Sequence, residues 1–193
     1  MSDFVHWESS RDEQAVRSYR TPKGEAMLEA IRKRRSVRKY RQGDIPEEVM
    51  EALLRSAMQA PSARNLQPWE FIVVRDRESL GRIPDYHPYS SMVPEAGAAI
   101  LVCGNTEFQK DPGYIAQDCS AAVQNLLLEA VEQGLGAVWL GVFPRKERID
   151  GMVELFGLPS HIIPVALVSV GYPAEEPEYQ DRFKREKVHM ETW

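Results

Sequence analysis

The sequence predicts one domain of mixed helix and strand, α+β or α/β with a small sheet. Two observations carry this. Apolar residues recur at helical spacing in some segments and as short continuous runs in others, giving the order ααβ-βαβαβ. The length, 193 residues with 43% hydrophobic and 27% charged, suits one soluble domain with a sizeable core. We place the domain at residues 24–193 and read residues 1–23, polar and weakly periodic up to Thr21-Pro22, as an N-terminal arm.

From Gly24, "EAMLEAIRKRRS" sets Met27, Leu28 and Ile31 on one helical stripe, with basic residues at the helix C-terminus, where cations complement the dipole. "IPEEVMEALLRSAMQAP" is a second helix, with Pro46 and acids in its first turn and a stripe of Val49, Ala52, Leu53, Ala57 and Ala60. "WEFIVV" (69–74) is a strand and "GAAILVCG" (97–104) a buried one. Between them, "PDYHPYSSMVPEAG" is rich in Pro, Tyr and Ser and reads as a surface loop or short lid. Asp111-Pro112 opens the longest helix, which stops at Gly134. Its wide apolar stripe, from Ile115 and Cys119 to Ala130 and Val131, predicts burial on more than one side. "GAVWLGVF" is a strand, "PRKERIDGMVELFG" a helix, and "IIPVALVSVG" a strand whose Pro164 favours an edge or an end. The tail from Tyr172 to Trp193 is too long for simple fraying and is expected to dock.

Much familiar chemistry is missing. A pI near 5.5 and a net charge of -5 argue against a surface built for nucleic acid. Cys103 and Cys119 form neither a CxxC pair nor a zinc set, no apolar run has membrane-span length, and the N-terminus lacks a signal-peptide core. The expected location is therefore cytoplasmic. His6, His87, His161 and His189 are scattered without ligand spacing, and neither GxSxG nor GxxxxGK[ST] occurs. Gly134-Leu135-Gly136 follows a helix and precedes a strand, the reverse of a dinucleotide turn. An enzyme of this kind would borrow its chemistry from a cofactor.

Two segments could hold one. Seven of the ten residues from Arg32 to Arg41 are basic. Arg34, Arg35, Ser36 and Arg38 could surround a phosphate with charge-assisted hydrogen bonds. Alone, the segment reads equally as a solvated basic turn, or as a nucleic-acid patch. "APSARNLQPWEF" (60–71) joins a helix to a strand through a polar loop that Pro68 holds extended, and alone is an ordinary connection.

Together, "RRSVRKY" and "APSARNLQPWEFIVV", followed by "DCSAAVQNLLLEAVEQGLGAVWLGVF" and "VSVGYPAEEPEYQDRFKREKVHMETW", resemble the flavin-dependent nitroreductase family from about Glu25 onward. The resemblance implies an α+β fold: a small, mostly antiparallel sheet flanked by helices, in an intertwined homodimer whose C-terminal tail extends the partner's sheet. It implies FMN, held non-covalently at the subunit interface. Arg34 and Ser36 would bind the phosphate, with Arg35 assisting by side chain or backbone. Arg38 would lie by the N1/C2=O edge of the ring, where a cation stabilises the reduced, anionic flavin. Pro61, Ser62, Ala63 and Asn65 would reach the flavin of the other subunit. Trp139, Leu140 and Gly141 would run beside the ring, and Arg182 would join the phosphate cage. Some relatives have a lysine two residues earlier; here that position is Gln180.

The implied reaction is ping-pong: NAD(P)H reduces FMN at N5, and a nitroaromatic, quinone or similar small oxidant is then reduced. No protein acid or base is needed, no metal is expected, and neither nucleic acid nor membrane is a partner. Tyr86, His87, Tyr89 and Met92, within residues 82–96, are the substrate-lid candidates. The same flavin fold also supports dehalogenation or flavin fragmentation. The dehalogenase lid carries a lysine, and none lies between Gly81 and Gly104. Lys33, Lys39 and Arg41 are left as solvated surface.

Overall fold

The computed structural model describes residues 27–193. The N-terminal arm, and the start of the first expected helix, lie outside these residues.

The long strands and helices fall where periodicity places them. Helix α1 is Glu29–Lys33, strand β1 Tyr40–Arg41, helix α2 Glu47–Met58 and strand β2 Trp69–Val74. Helix α3 (Arg77–Tyr86), strand β3 (Ala98–Asn105), helix α4 (Pro112–Glu132) and strand β4 (Gly136–Gly141) follow. Helix α5 (Lys146–Phe156) and strand β5 (Ile162–Pro173) complete the regular elements, apart from three short 3-10 turns. Every strand pairing is antiparallel: β2 with β3, and β3, β4 and β1 with β5. A lone parallel bridge joins Ser36 to Ala137. The sheet is thus small and mostly antiparallel, the α+β alternative.

Strand side chains alternate between faces, and the core divides accordingly. Ala98, Ile100 and Val102 of β3 pack with Leu53 of α2 and with Ile115, Ala122 and Leu126 of α4. Ala99, Leu101 and Cys103 pack on the other side with Leu80 and Ile83 of α3 and Met152 of α5. Both faces of the sheet are covered, which is why β3 and β5 read as continuous apolar runs. Helix α4 ends at Glu132, and Gly134 adopts φ 71°, as its stop requires. Pro164 sits near the start of β5, where the β3 register shifts, so an otherwise central strand tolerates it.

Two expectations are corrected, and the tail is docked in part. Helix α1 is only five residues long, and Leu28 and Ile31 are exposed on this chain (71% and 45%). The region expected as a loop from Pro84 begins inside α3. Asp76 caps this helix by accepting a hydrogen bond from Ser79 N–H (2.8 Å), and fully buried Leu80 and Ile83 anchor it. Pro84 is accommodated in the final turn. Finally, residues 174–193 are mostly exposed, and Trp193 is fully so, stacking only on His189 at 4.3 Å. Only the first part of the tail docks on this chain.

Candidate cofactor site

The basic segment leaves α1 in extended form and runs along β4. Val37 N–H donates to Ala137 O (3.0 Å), and a Cβ on Gly136 would meet the Val37 side chain at 2.7 Å. Glycine at 136 therefore permits the close approach. This role within the Gly134-Leu135-Gly136 run replaces any nucleotide-turn function. The Tyr40 hydroxyl reaches the carbonyl oxygens of Val37 (2.9 Å) and Ser169 (3.2 Å), tying the segment to β5. Burial pushes its pKa up to about 12, so it acts as a neutral donor.

Arg34 stands at one end of the segment. Burial, then the charges of Arg35 and Arg182, lower its pKa. Among the described residues no carboxylate forms an ion pair with Arg34 or Arg182. A cluster of unneutralised arginines is what a phosphate dianion would complete. Ser36 is exposed at the β4 bridge, between this cluster and Arg38.

The Arg35 side chain turns elsewhere. Its Nε–H donates to Glu178 O (3.1 Å), its Nη1 donates to Arg34 O (2.6 Å), and its guanidinium lies 5.3 Å from the centre of the Tyr179 ring. Arg41, expected as solvated, also holds the tail, donating from Nε to Pro173 O (3.1 Å). Lys33 is likewise engaged, pairing with Glu29. Beside these contacts, between α1, α4 and the tail, lies a pocket of about 520 Å³ bordered by Arg34, Arg35, Leu127, Gly136, Glu175 and Tyr179.

Arg38 stands at the other end of the segment, four residues on, an extended reach of about 13 Å. It borders a second cavity, of about 440 Å³, with Trp139, Leu140 and Gly141 of β4 and with His87, Tyr89 and Met92. The structure thus joins Arg38, the β4 residues and three of the four lid candidates in one place. Trp139 and Tyr89 are exposed there, 37% and 64%. Tyr86 is the exception: it packs between α3 and α5, with its backbone against Gly151 and its hydroxyl 3.4 Å from Glu154 Oε1.

His87 is buried (1% exposed) and held at both ring nitrogens. Its Nε2 lies 3.0 Å from Gly141 O, while Tyr89 N–H donates to its Nδ1 (3.3 Å). This pairing requires a neutral ring protonated at Nε2. Burial lowers the His87 pKa, the Gly141 hydrogen bond opposes this, and nearby Arg148 lowers it further. Arg148 Nη1 also donates to Gly141 O (2.7 Å), with its guanidinium 5.1 Å from the centre of the Tyr89 ring. Sequence reasoning passed over Arg148, since an arginine early in an amphipathic helix has no distinguishing signal.

Pro61, Ser62, Ala63 and Asn65 border neither cavity. They form an exposed turn with left-handed backbone at Arg64, Asn65 and Gln67 (φ 55°, 55° and 48°). Ser62 Oγ accepts from Gln67 N–H (3.0 Å), and Ala63 N–H donates to the buried Asp118 carboxylate (2.9 Å). Such strained backbone persists only when its surroundings hold it. Asp118 is a second residue that its sequence context, mid-helix, did not single out.

The remaining polar chemistry is sparse. Cys103 and Cys119 are buried free thiols whose pKa values burial raises to about 12. Among the described residues, no His/Cys/Asp/Glu group could hold a metal, and no helix is long and apolar enough to cross a membrane.

The small two-faced sheet thus carries a cationic segment strapped along one strand, with Arg34 at one end and an aromatic cavity at the other. The chain belongs to the nitroreductase family, whose description matches residues 31–95 and 86–172. A relative from Methanothermobacter thermautotrophicus, provisionally named NADH dehydrogenase/NAD(P)H nitroreductase, is 49% identical over 167 residues, spanning 86% of this chain and 87% of its own. An FMN-dependent nitroreductase from Clostridium difficile superposes with a TM-score of 0.80 at 30% identity, covering 86% of this chain and all of its own. A provisionally named nitroreductase from Desulfovibrio desulfuricans, solved in complex with FMN, gives 0.75 at 32% identity, over 86% and 96% of the two chains.

Proposed function

We propose that this protein is an FMN-dependent NAD(P)H oxidoreductase of nitroreductase type. The observation that carries the reading is the span of the basic segment: unneutralised Arg34 and Arg182 at one end, Arg38 beside Trp139, Leu140 and Gly141 at the other. The donor set fits FMN, with a doubly charged phosphate for the arginine cluster and Ser36, and an aromatic ring for the β4 cavity. FMN, when bound, supplies two-electron transfer from NAD(P)H to a small oxidant such as a nitroaromatic or quinone, in a ping-pong cycle.

The residues of this chain then bind, orient and exclude. Arg34, Ser36 and Arg182 hold the phosphate. Arg38 places a positive charge at the ring edge that gains negative charge on reduction. Gly141 lets backbone approach the ring, and its carbonyl is fixed by His87 and Arg148. Trp139, Tyr89 and Met92 offer flat and apolar surface to an aromatic acceptor. The site is completed by a second copy of the chain. This assigns the strained Pro61–Asn65 turn to the partner's cofactor, and gives cover to Leu28 and Ile31.

The purified protein is expected to be yellow and to release FMN, not FAD, on denaturation. It should oxidise NADH or NADPH when a nitroaromatic or quinone is supplied. A colourless protein that takes up no added FMN would overturn the proposal.

A further inference from the structure

The tail leaves β5 antiparallel to the basic segment and is fastened to it repeatedly. Ala174 N–H donates to Lys39 O (2.9 Å), and Glu175 Oε1 accepts from Arg38 N–H (2.8 Å). Arg35 closes the row, with Nε on Glu178 O and its guanidinium over Tyr179. Arg182 follows three residues after Tyr179, and its charge is felt at Arg34. The row therefore decides whether Arg182 reaches the cluster.

It does so against resistance. Docking the tail brings the Arg182 charge toward Arg34, and among the described residues no carboxylate forms an ion pair with either. Arg35 Nη2 is moreover buried without an acceptor, which is costly for a charged donor. The charge penalty falls when an anion enters the cluster, and coupling of this kind is reciprocal.

We propose that Arg35 is a positioning residue that latches the tail and so delivers Arg182, making docking of residues 173–182 and occupancy by a phosphate-bearing flavin mutually dependent. The inference rests on the FMN reading and adds to it a role for the tail as a ligand-stabilised clasp. The latch requires planar stacking as well as charge, so lysine would not replace Arg35.

The test uses the full chain, flavin-free and loaded, under limited trypsin digestion. Lys184, Arg185 and Lys187 are exposed tail sites. FMN is expected to slow cleavage there at least tenfold, and riboflavin, which lacks the phosphate, to give no protection. Arg35→Ala and Tyr179→Ala should each abolish the protection and weaken FMN about tenfold, whereas Tyr179→Phe, which keeps the ring, behaves as wild type. The double variant Arg35→Ala/Arg182→Ala should bind FMN no more weakly than Arg182→Ala alone. Equal cleavage with and without FMN, equal protection by riboflavin, or additive losses in the double variant would overturn the latch. A wild-type chain that binds no FMN would instead sink the functional reading beneath it.

Discussion

The two ends of the basic segment are built differently. At the Arg34 end, long cationic side chains converge from α1 and an exposed tail, and few buried contacts hold them. At the Arg38 end, a single backbone carbonyl, Gly141 O, is pinned by a buried imidazole and a guanidinium, each supported by Tyr89. Under the proposed FMN reading, the contrast follows from what each end is asked to do. Charge acts over distance and tolerates imprecision, so a phosphate can be held by flexible side chains. Backbone that must lie against a reacting ring tolerates little displacement, so the fold commits buried polar groups to it.

The comparison can be broken from either end. His87→Ala removes a buried ring, leaves Tyr89 N–H without its acceptor and leaves Gly141 O to Arg148 alone. We expect a loss of about 2–4 kcal/mol in folding stability, read by denaturant unfolding, with FMN phosphate contacts untouched. Arg34→Ala should do the opposite: stability within about 0.5 kcal/mol of wild type, but FMN binding weaker by about 1.5–3 kcal/mol in calorimetric titration. Tyr40→Phe lies between the two ends, where the segment is tied to β5. It should cost about 1 kcal/mol of stability, with a smaller change in FMN affinity.

The smallest effect is one of pH. The folded-state pKa of His87 lies below its ordinary 6.5. As pH falls below about 6.5, the unfolded chain takes up a proton that folded His87 resists, so stability declines toward the depressed folded value and is intact above 6.5. The difference between wild type and His87→Gln, measured by thermal unfolding across this window, should shrink as pH falls. An unchanging difference would mean that His87 is not held neutral.

Sequence periodicity located every long strand and four of the helices, because burial on both sheet faces leaves unmistakable apolar runs. It overlooked α3, where Gly81 and Pro84 look like breakers, although Asp76 three residues before Ser79 was a legible cap. It overstated the length of α1, whose Leu28 and Ile31 have helical spacing but nothing in this chain to face. The family resemblance marked the cofactor candidates, and the structure brings Arg38 together with Trp139, Leu140 and Gly141. What could not be read was the support. Arg35, Arg41, His87 and Arg148 all grip backbone carbonyls, and a carbonyl acceptor carries no residue signature. The division of work within "RRSVRKY", some arginines for a ligand and others for the tail, depends on where those carbonyls lie.

The most direct test of that division is calorimetric titration of wild type, Arg34→Ala and Arg38→Ala with both FMN and riboflavin. If one segment grips the two ends of one cofactor, Arg34→Ala should weaken FMN tenfold or more while leaving riboflavin affinity unchanged, and Arg38→Ala should weaken both ligands alike. Equal losses for FMN and riboflavin in Arg34→Ala would contradict the account.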